Sequence, residues 1–583
     1  MLHKTQIQQR DWLGLGLWVG LGVVLRFANL EAKPLWTDEF STLVFSLGNS
    51  FRAIPLDQVL PLEALLRPLQ ADPTATLGDV GQRLTQESNH PPLYFMLMHG
   101  WLRLWPTSDV TGALEARSLA AVFGSLTIPA FWGLGWVAWR SPTAAHLAAA
   151  LAAVSPFGVY LAQEARHYTL PTLWGLASLA CLLLTVRSLQ AAVPLPWWLC
   201  LGWVGVNGLG LATHFFVGIT LLAEAIALFG WMLYRYGRGD RWKPLVWSRL
   251  GLTAVGTLAT AAVWLPLWQG MGDSELTQWV YRGDRAGVAW LDPLGQIIGS
   301  TLTMLYLLPI QAASDRVQLA SIIGLVALLL WTGLWLWRGC WQLSREAETR
   351  LTVALLAGVW LGAIALFLLI SYGFQRDITS AFRYSFVYYP AVLLLVAGVL
   401  AQAWQNASTR GGLWPLWFLL LGRGKGAIVL VLLLGLVGSL CVLTNVAYQK
   451  THRPDLVVQA MQQQYSTPTL VAIAHRSHGQ TGRMMGLAVE WQRQVDSAAI
   501  QPELAPPLVL LAQDNPARKR AIATLETSLA TLPPVLDLWL VNFEQTDGDR
   551  LATVLRRAAC TEAAPRLRAD GYRAQRYRCG ESR

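Results

Sequence analysis

The chain has 583 residues, 54% of them hydrophobic and only 14% charged, with 29 tryptophans and a formal net charge of +10. That composition excludes an ordinary water-soluble enzyme, and because the apolar residues fall in long runs rather than amphipathic stripes, it predicts a polytopic helical membrane protein. The positive charge is no nucleic-acid signature: the basic residues collect in short loops between apolar runs, as the positive-inside rule expects.

The start, Met1–Asp11, carries Lys4 and Arg10 and leads into the apolar run Trp12–Leu25. This is the layout of a signal peptide, but no small-residue cleavage site follows, so a retained first helix is expected over 12–29. Further spans are predicted at 116–138, 143–160, 168–187, 196–213, 215–233, 247–268, 317–338, 351–372, 384–404 and 426–446. Each is near the ~20 residues that cross a hydrocarbon core, giving about eleven transmembrane helices. The run Tyr234–Arg249, with Arg235, Arg238, Arg241, Lys243 and Arg249, is the densest basic loop and is placed in the cytoplasm, with Arg338–Arg350 on the same side. Two apolar segments, 91–105 and 295–310, are shorter than a span needs, and counting either would move a basic loop to the wrong side. Both are read as interfacial or re-entrant helices on the outer face. The N-terminus is then cytoplasmic and the C-terminus outside.

After Lys450 the long apolar runs stop. Short apolar strands, Leu470–Ala474, Leu508–Leu511 and Leu538–Val541, alternate with helix-like stretches, which predicts a small extracytoplasmic α/β domain over 450–583 behind a transmembrane domain over 1–449. Cys181, Cys200, Cys340 and Cys441 fall in or beside helices and behave as small apolar residues. Cys560 and Cys579 form an even pair in the outer domain and are expected to be disulfide-bonded.

Chemistry is sought among the polar residues on the outer side. The tetrad Trp36-Thr37-Asp38-Glu39 follows the first helix, and a carboxylate pair at the mouth of a membrane helix is costly to desolvate. Beside the same face the topology puts Asn89-His90-Pro91-Pro92-Leu93-Tyr94, Gln163-Glu164-Ala165-Arg166-His167-Tyr168, Thr213-His214-Phe215-Phe216 and Ala381-Phe382-Arg383-Tyr384. Their convergence argues for one site. Each has a plainer reading as well. Asp38 and Glu39 equally suit the cap of a following helix; His90-Pro91-Pro92 suits a helix start; Glu164 and Arg166 suit a local ion pair; Tyr94, Tyr168 and Tyr384 suit an interfacial aromatic belt; and a lone His214 suits a satisfied polar residue. Asn406-Ala407-Ser408 has the form of a glycosylation acceptor but falls on the cytoplasmic side.

In this order the motifs resemble the integral-membrane glycosyltransferases of the GT-C fold. The pattern is most similar to the group containing protein O-mannosyltransferases, the lipid A aminoarabinose transferase and the bacterial RgtA/B/C/D-like sugar transferases. The resemblance covers roughly residues 12–400, and the outer domain adds nothing to it. It implies an all-α, GT-C-like polytopic membrane fold, a polyprenyl-phosphate-linked sugar donor and transfer to a lipid, glycan or protein acceptor on the extracytoplasmic side of the cell or plasma membrane. Phosphate leaves as an anion and needs no general acid, so one carboxylate base suffices. Asp38 takes that role, with Glu39 as second choice or as a holder of the first loop. Arg166 and Arg383 are the candidates to hold the phosphate. His90, Glu164 and His214 join them at the donor, and Tyr94, Tyr168 and Tyr384 pack on sugar or prenyl chain. No cofactor is expected, no ligand spacing argues for a metal, and a divalent ion stays open. A transporter or flippase is the main alternative; it would place its site at the midplane within an internal repeat, and none is evident. A structural subunit would leave Asp38 unexplained.

Overall fold

The protein is described from a computed structural model, which covers residues 8–105, 110–239, 244–269, 280, 285, 287–408, 424–464, 468–496, 505–515, 518–543 and 548–580. Lys4, Arg241 and Lys243, used above to orient the chain, lie outside the described residues. In chain order the helices are α1 (Gln9–Phe27), α2 (Thr37–Ser46), α3 (Leu77–Glu87), α4 (Leu93–Leu102), α5 (Ala113–Trp139), α6 (Pro142–Val154), α7 (Pro156–Ala162) and α8 (Thr169–Gln190). They continue with α9 (Trp197–Thr213), α10 (Val217–Gly237), α11 (Pro244–Ala262), the short α12 (Leu265–Gln269), α13 (Asp292–Thr303), α14 (Asp315–Arg345), α15 (Arg350–Leu368) and α16 (Tyr389–Ser408). Lys425–Leu443 is the last apolar helix.

Among the described residues seven helices are long and apolar enough to cross a membrane: α5, α8, α10, α11, α14, α15 with its π-helical continuation to Gly373, and Lys425–Leu443. The pair α6 and α7 makes an eighth if counted as one bent span. Helices also stand at the three remaining expected positions, with weaker credentials. α1 carries Arg10, Asp11 and Arg26, α9 is 17 residues long, and α16 ends in Gln402, Gln405 and Asn406. The segments read as non-crossing, 91–105 and 295–310, contain only the 10-residue α4 and the 12-residue α13.

The expected single span 143–160 is two helices meeting at 56°. Pro156 has no N–H to continue the ladder, so α6 must end before it and leave carbonyls unmatched. Buried side chains from elsewhere in the bundle satisfy them. Arg26 of α1, fully buried, donates to the carbonyls of Ala152 (2.8 Å) and Ala153 (3.2 Å), and Ser439 donates to that of Val154 (2.9 Å). Ser155 caps α7 by accepting from the Gly158 N–H at 3.2 Å and donates to the Met304 carbonyl at 2.8 Å. A second polar knot joins α8 to α11: Ser178 lies 2.6 Å from Glu224, Trp203 donates to Ser178, and Asn207 donates to Thr257. Such bonds hold helices together where lipid supplies no hydrophobic drive.

The chain divides into two compact units. One comprises residues 1–30, 89–94 and 117–449; the other comprises 31–88, 95–116 and 450–583. The composition break near Lys450 is therefore a unit boundary, but the second unit also takes in most of the segment after α1. The reason is strand pairing. β1 (Val59–Pro61) runs antiparallel to β3 (Leu508–Asn515), with Val59 opposite Leu510, and so extends a sheet whose other strands are far downstream.

That sheet contains β2 (Thr469–His475), β3, the two-residue β4 (Arg518–Lys519), β5 (Leu536–Val541), β6 (Cys560–Glu562), β7 (Leu567–Ala569) and β8 (Tyr572–Cys579), with main order β1-β3-β2-β5-β8-β6. β2 is parallel to both β3 and β5, and helices His478–Asp496 and Ala521–Thr531 make the crossovers. Every residue of β2 and β5 is buried, as their central places in the sheet require, and the carboxylate among them, Asp537, pairs with Arg576 at 2.6 Å. Cys560 faces Cys579 across β6 and β8, and the two are disulfide-bonded.

Candidate active site

In the helical unit the four outer motifs come together. The turn from α7 to α8, residues 163–168, begins where Gln163 donates to the Ala28 carbonyl at 2.8 Å. Arg166 is 2% exposed and its guanidinium donates to His90 Nε2 at 3.1 Å. That bond puts the His90 proton on Nδ1. Desolvation, then the charges of Arg166 and Arg383, hold the His90 pKa down to about 3, so the ring is neutral at physiological pH.

Arg383 stands on the 3₁₀ turn Phe382–Val387 and donates from Nε to the Tyr168 hydroxyl at 2.9 Å. The two guanidinium groups lie 5.8 and 5.9 Å from the centre of the same Tyr168 ring. Two guanidinium groups thus share one buried tyrosine.

His214, at the turn between α9 and α10, accepts the Phe216 N–H at Nδ1 (2.9 Å), which leaves Nε2 as its N–H donor. Burial, then the charges of nearby His90, Arg166 and Arg383, push its pKa well below the ordinary value. Its ring packs 5.7 Å from Tyr168 and 5.9 Å from Tyr384. Tyr94, fully buried, meets His167 edge-on at 5.9 Å, and His167 lies 4.6 Å from His214. Glu164 is buried in the same turn. His90, Tyr94, Arg166, Tyr168, His214, Arg383 and Tyr384 thus form one cluster of guanidinium charge, neutral imidazole and phenol. Among the described residues no group of three or more His, Cys, Asp or Glu is arranged to hold a metal ion.

Asp38 and Glu39 belong to the other unit, at the first turn of α2. The structure separates their tasks. Glu39 is 0% exposed, accepts the Trp36 N–H at 3.3 Å and pairs with the buried Lys450 ammonium at 3.5 Å. It is the capping carboxylate that closes the first turn. Asp38 is half-buried and takes no part in that cap. Beside it a polar chain runs from Thr37 through His452 to Arg483: Thr37 Oγ1 and His452 Nδ1 are 3.4 Å apart, and Arg483 donates to His452 Nε2 at 3.3 Å. Burial, then the Arg483 charge, lower His452 to about 4, against an opposing pull from Asp38. The helix His478–Asp496 approaches this corner through Gly482, where a Cβ would sit 2.8 Å from Thr37 Cγ2.

Lys450, His452, Arg483 and His167 escape the sequence reading. His167 lies inside a quoted motif but had no charge or spacing to single it out. His452 and Arg483 are 415 and 446 positions from Thr37 in the chain and carry no local signal.

No family model and no curated protein match the chain. Its structure is similar to the crystal structure of ArnT from Cupriavidus metallidurans bound to undecaprenyl phosphate, at 14% identity and a TM-score of 0.52, covering 98% of each chain. It is likewise similar to ArnT from the same organism in the apo state, at 13% identity and a TM-score of 0.51, covering 97% of this chain and 98% of the other. Likeness over whole chains at so low an identity carries the architecture alone: the chain has the GT-C fold.

Proposed function

We propose that this protein is a membrane glycosyltransferase that moves a sugar from a polyprenyl-phosphate donor to an acceptor hydroxyl on the extracytoplasmic side, with inversion at the anomeric carbon. The observation that carries the reading is the convergence of Arg166 and Arg383 on Tyr168, with His90 and His214 neutral beside them. Fixed guanidinium groups among neutral N–H donors match a phosphate whose negative charge grows as it leaves. The similarity to a protein crystallised with undecaprenyl phosphate supports a lipid phosphate as that group.

In the proposed step Asp38 takes the proton of the acceptor hydroxyl, and the acceptor oxygen attacks the anomeric carbon. The bond from that carbon to the phosphate oxygen breaks, and its electron pair leaves with the lipid phosphate toward Arg166 and Arg383. Tyr94, Tyr168 and Tyr384 supply apolar faces for sugar or prenyl chain, and Glu164 holds the 163–168 turn. Glu39 is assigned to the architecture of α2, and His452 positions the first turn of α2, which carries Asp38. The extracytoplasmic placement of 450–583 is supported by the basic residues of Tyr234–Arg249 and by the Cys560–Cys579 bond, which suits an oxidising compartment.

The test is release of polyprenyl phosphate from a lipid-linked sugar by purified protein in nanodiscs, in the presence of membrane-envelope acceptor extract. Sugar-dependent release supports the proposal; vectorial movement of an intact lipid-linked sugar with no release would favour a flippase instead.

A further inference from the structure

Within the unit that carries Asp38, Arg483 is a half-buried guanidinium with only part of its donor capacity in use. It stands on the second turn of helix His478–Asp496, one residue after the glycine that lets this helix close on Thr37. Partial burial of an arginine is costly unless its charge is paired. Among the described residues Arg483 pairs with no carboxylate, and its side chain makes a single hydrogen bond, from Nε to His452 Nε2 at 3.3 Å. Nη1 and Nη2 make none, and neither is among the fully buried nitrogens, so both present surface to a ligand.

The guanidinium is held in place from the Asp38 side. Arginine only donates, so His452 Nε2 accepts and the neutral ring carries its proton on Nδ1. Nδ1 faces Thr37 Oγ1 at 3.4 Å and donates to it, which leaves the Thr37 hydroxyl proton for a further acceptor. The imidazole between them is fixed: it lies 5.9 Å from the Trp36 ring and 6.2 Å from the Tyr572 ring, and it packs so closely on Gly571 that no Cβ would fit there. The Tyr572 hydroxyl donates to the Arg483 carbonyl at 2.9 Å and ties the backbone beneath the guanidinium to β8.

The groups left open in the chain Thr37-His452-Arg483 are thus all donors, and the chain carries one positive charge. The Nη edge of a guanidinium presents two parallel N–H bonds, which match two oxygens of a carboxylate or a phosphate. A neutral hydroxyl would take one of those bonds and leave the charge unpaired. Thr37 is followed directly by Asp38, so this donor row begins beside the proposed base.

We infer that Arg483 binds an oxyanion, a carboxylate or a phosphate monoester, carried by the acceptor near the hydroxyl that Asp38 deprotonates. Two hydrogen bonds and one imidazole ring separate Arg483 Nε from Thr37 Oγ1, a span comparable with the length of one hexose, so the charged group lies within about that distance of the reacting hydroxyl. That the oxyanion belongs to the acceptor rests on the glycosyltransferase reading, in which Arg166 and Arg383 hold the donor phosphate; that Arg483 binds an oxyanion does not. His452 reports on it. Burial and the Arg483 charge hold this imidazole down to about 4, and an anion on the guanidinium offsets that charge and raises the midpoint.

The test uses full-length, histidine-labelled protein in zwitterionic nanodiscs without lipid donor, with the His452 ring resonance assigned by its loss in His452→Gln. Glucuronate, glucose 6-phosphate and uncharged glucose are titrated in turn, so that the two charged sugars separate a carboxylate from a phosphate site. The expected result is a saturable change at His452 with at least one charged sugar, a rise of its midpoint by roughly half a unit, and no response to glucose. Arg483→Gln, which keeps an N–H for His452, should weaken that binding roughly tenfold or more, and Arg383→Gln should leave it unchanged. In the release assay Arg483→Gln should raise the envelope extract needed for half-maximal release by a similar factor at an unchanged donor KM. No saturable response to either charged sugar, an equal response to glucose, or parental affinity in Arg483→Gln would overturn the oxyanion site; a donor KM raised as much as the acceptor requirement would overturn its place on the acceptor. The titration contains no donor, so its failure leaves the transfer reading untouched, and absence of polyprenyl phosphate release leaves the titration result standing.

Discussion

Neutralising Glu39 should unfold the sheet-bearing unit rather than disable chemistry. Its carboxylate is 0% exposed, sits 3.5 Å from a Lys450 ammonium that is itself 3% exposed, and accepts the Trp36 N–H. Breaking a buried pair leaves the surviving charge uncompensated, at a cost of about 3–5 kcal/mol, whereas removing both charges together is often close to neutral. Glu39→Gln should therefore lose about 3–5 kcal/mol, a large part of the total for a domain, and Lys450→Met a similar amount. The double variant should recover most of the loss, for a coupling well above the ~0.5 kcal/mol expected of independent sites. The assay is pulse proteolysis of detergent-solubilised protein across a urea series, following cleavage within 450–583. Parental stability in Glu39→Gln together with loss of turnover would refute the reasoning and return Glu39 to the chemistry.

Other consequences follow from the same geometry. Arg383→Lys should keep the fold but raise the KM for a lipid-linked donor by roughly tenfold or more, as expected for one charged hydrogen-bond donor lost from a phosphate; an unchanged KM would remove Arg383 from the donor site. Acid should destabilise the helical unit. The unfolded His90 takes up a proton near pH 6.5, whereas the folded ring resists until about 3, so its contribution is complete above 6.5 and is lost as pH falls toward 3. Thermal midpoints measured over that window should slope less steeply in His90→Gln than in the parent. Replacing Cys560 and Cys579 by serine opens a link of sequence separation 19 and should cost the sheet roughly 3 kcal/mol in the chain-entropy model while leaving transfer at low temperature unchanged. Insensitivity of urea unfolding to reductant would contradict this.

Most of the helical plan is legible in the sequence because hydrocarbon thickness imposes a length and apolarity that few other constraints mimic. The bend at Ser155-Pro156 is hidden because the run on both sides is apolar, and only Arg26, Ser439 and the Met304 carbonyl, distant in sequence, make it tolerable. The three residues of β1 are too few to show alternation, so the attachment of the segment after α1 to the C-terminal sheet cannot be read locally. At the candidate site the cationic cluster is legible, since arginine and histidine at helix mouths stand out in a membrane protein. The division between Asp38 and Glu39 is not legible: adjacent carboxylates look alike until Lys450, more than 400 residues away, chooses one of them.

The central claim is tested most directly by Asp38→Asn, measured as single-turnover release of polyprenyl phosphate from a lipid-linked sugar with acceptor in excess. The account predicts donor binding and unfolding stability near those of the parent, with turnover lowered by ~10²–10⁴-fold, the range for loss of a positioned base. Turnover within a few fold of the parent in a folded, donor-binding Asp38→Asn protein would contradict it.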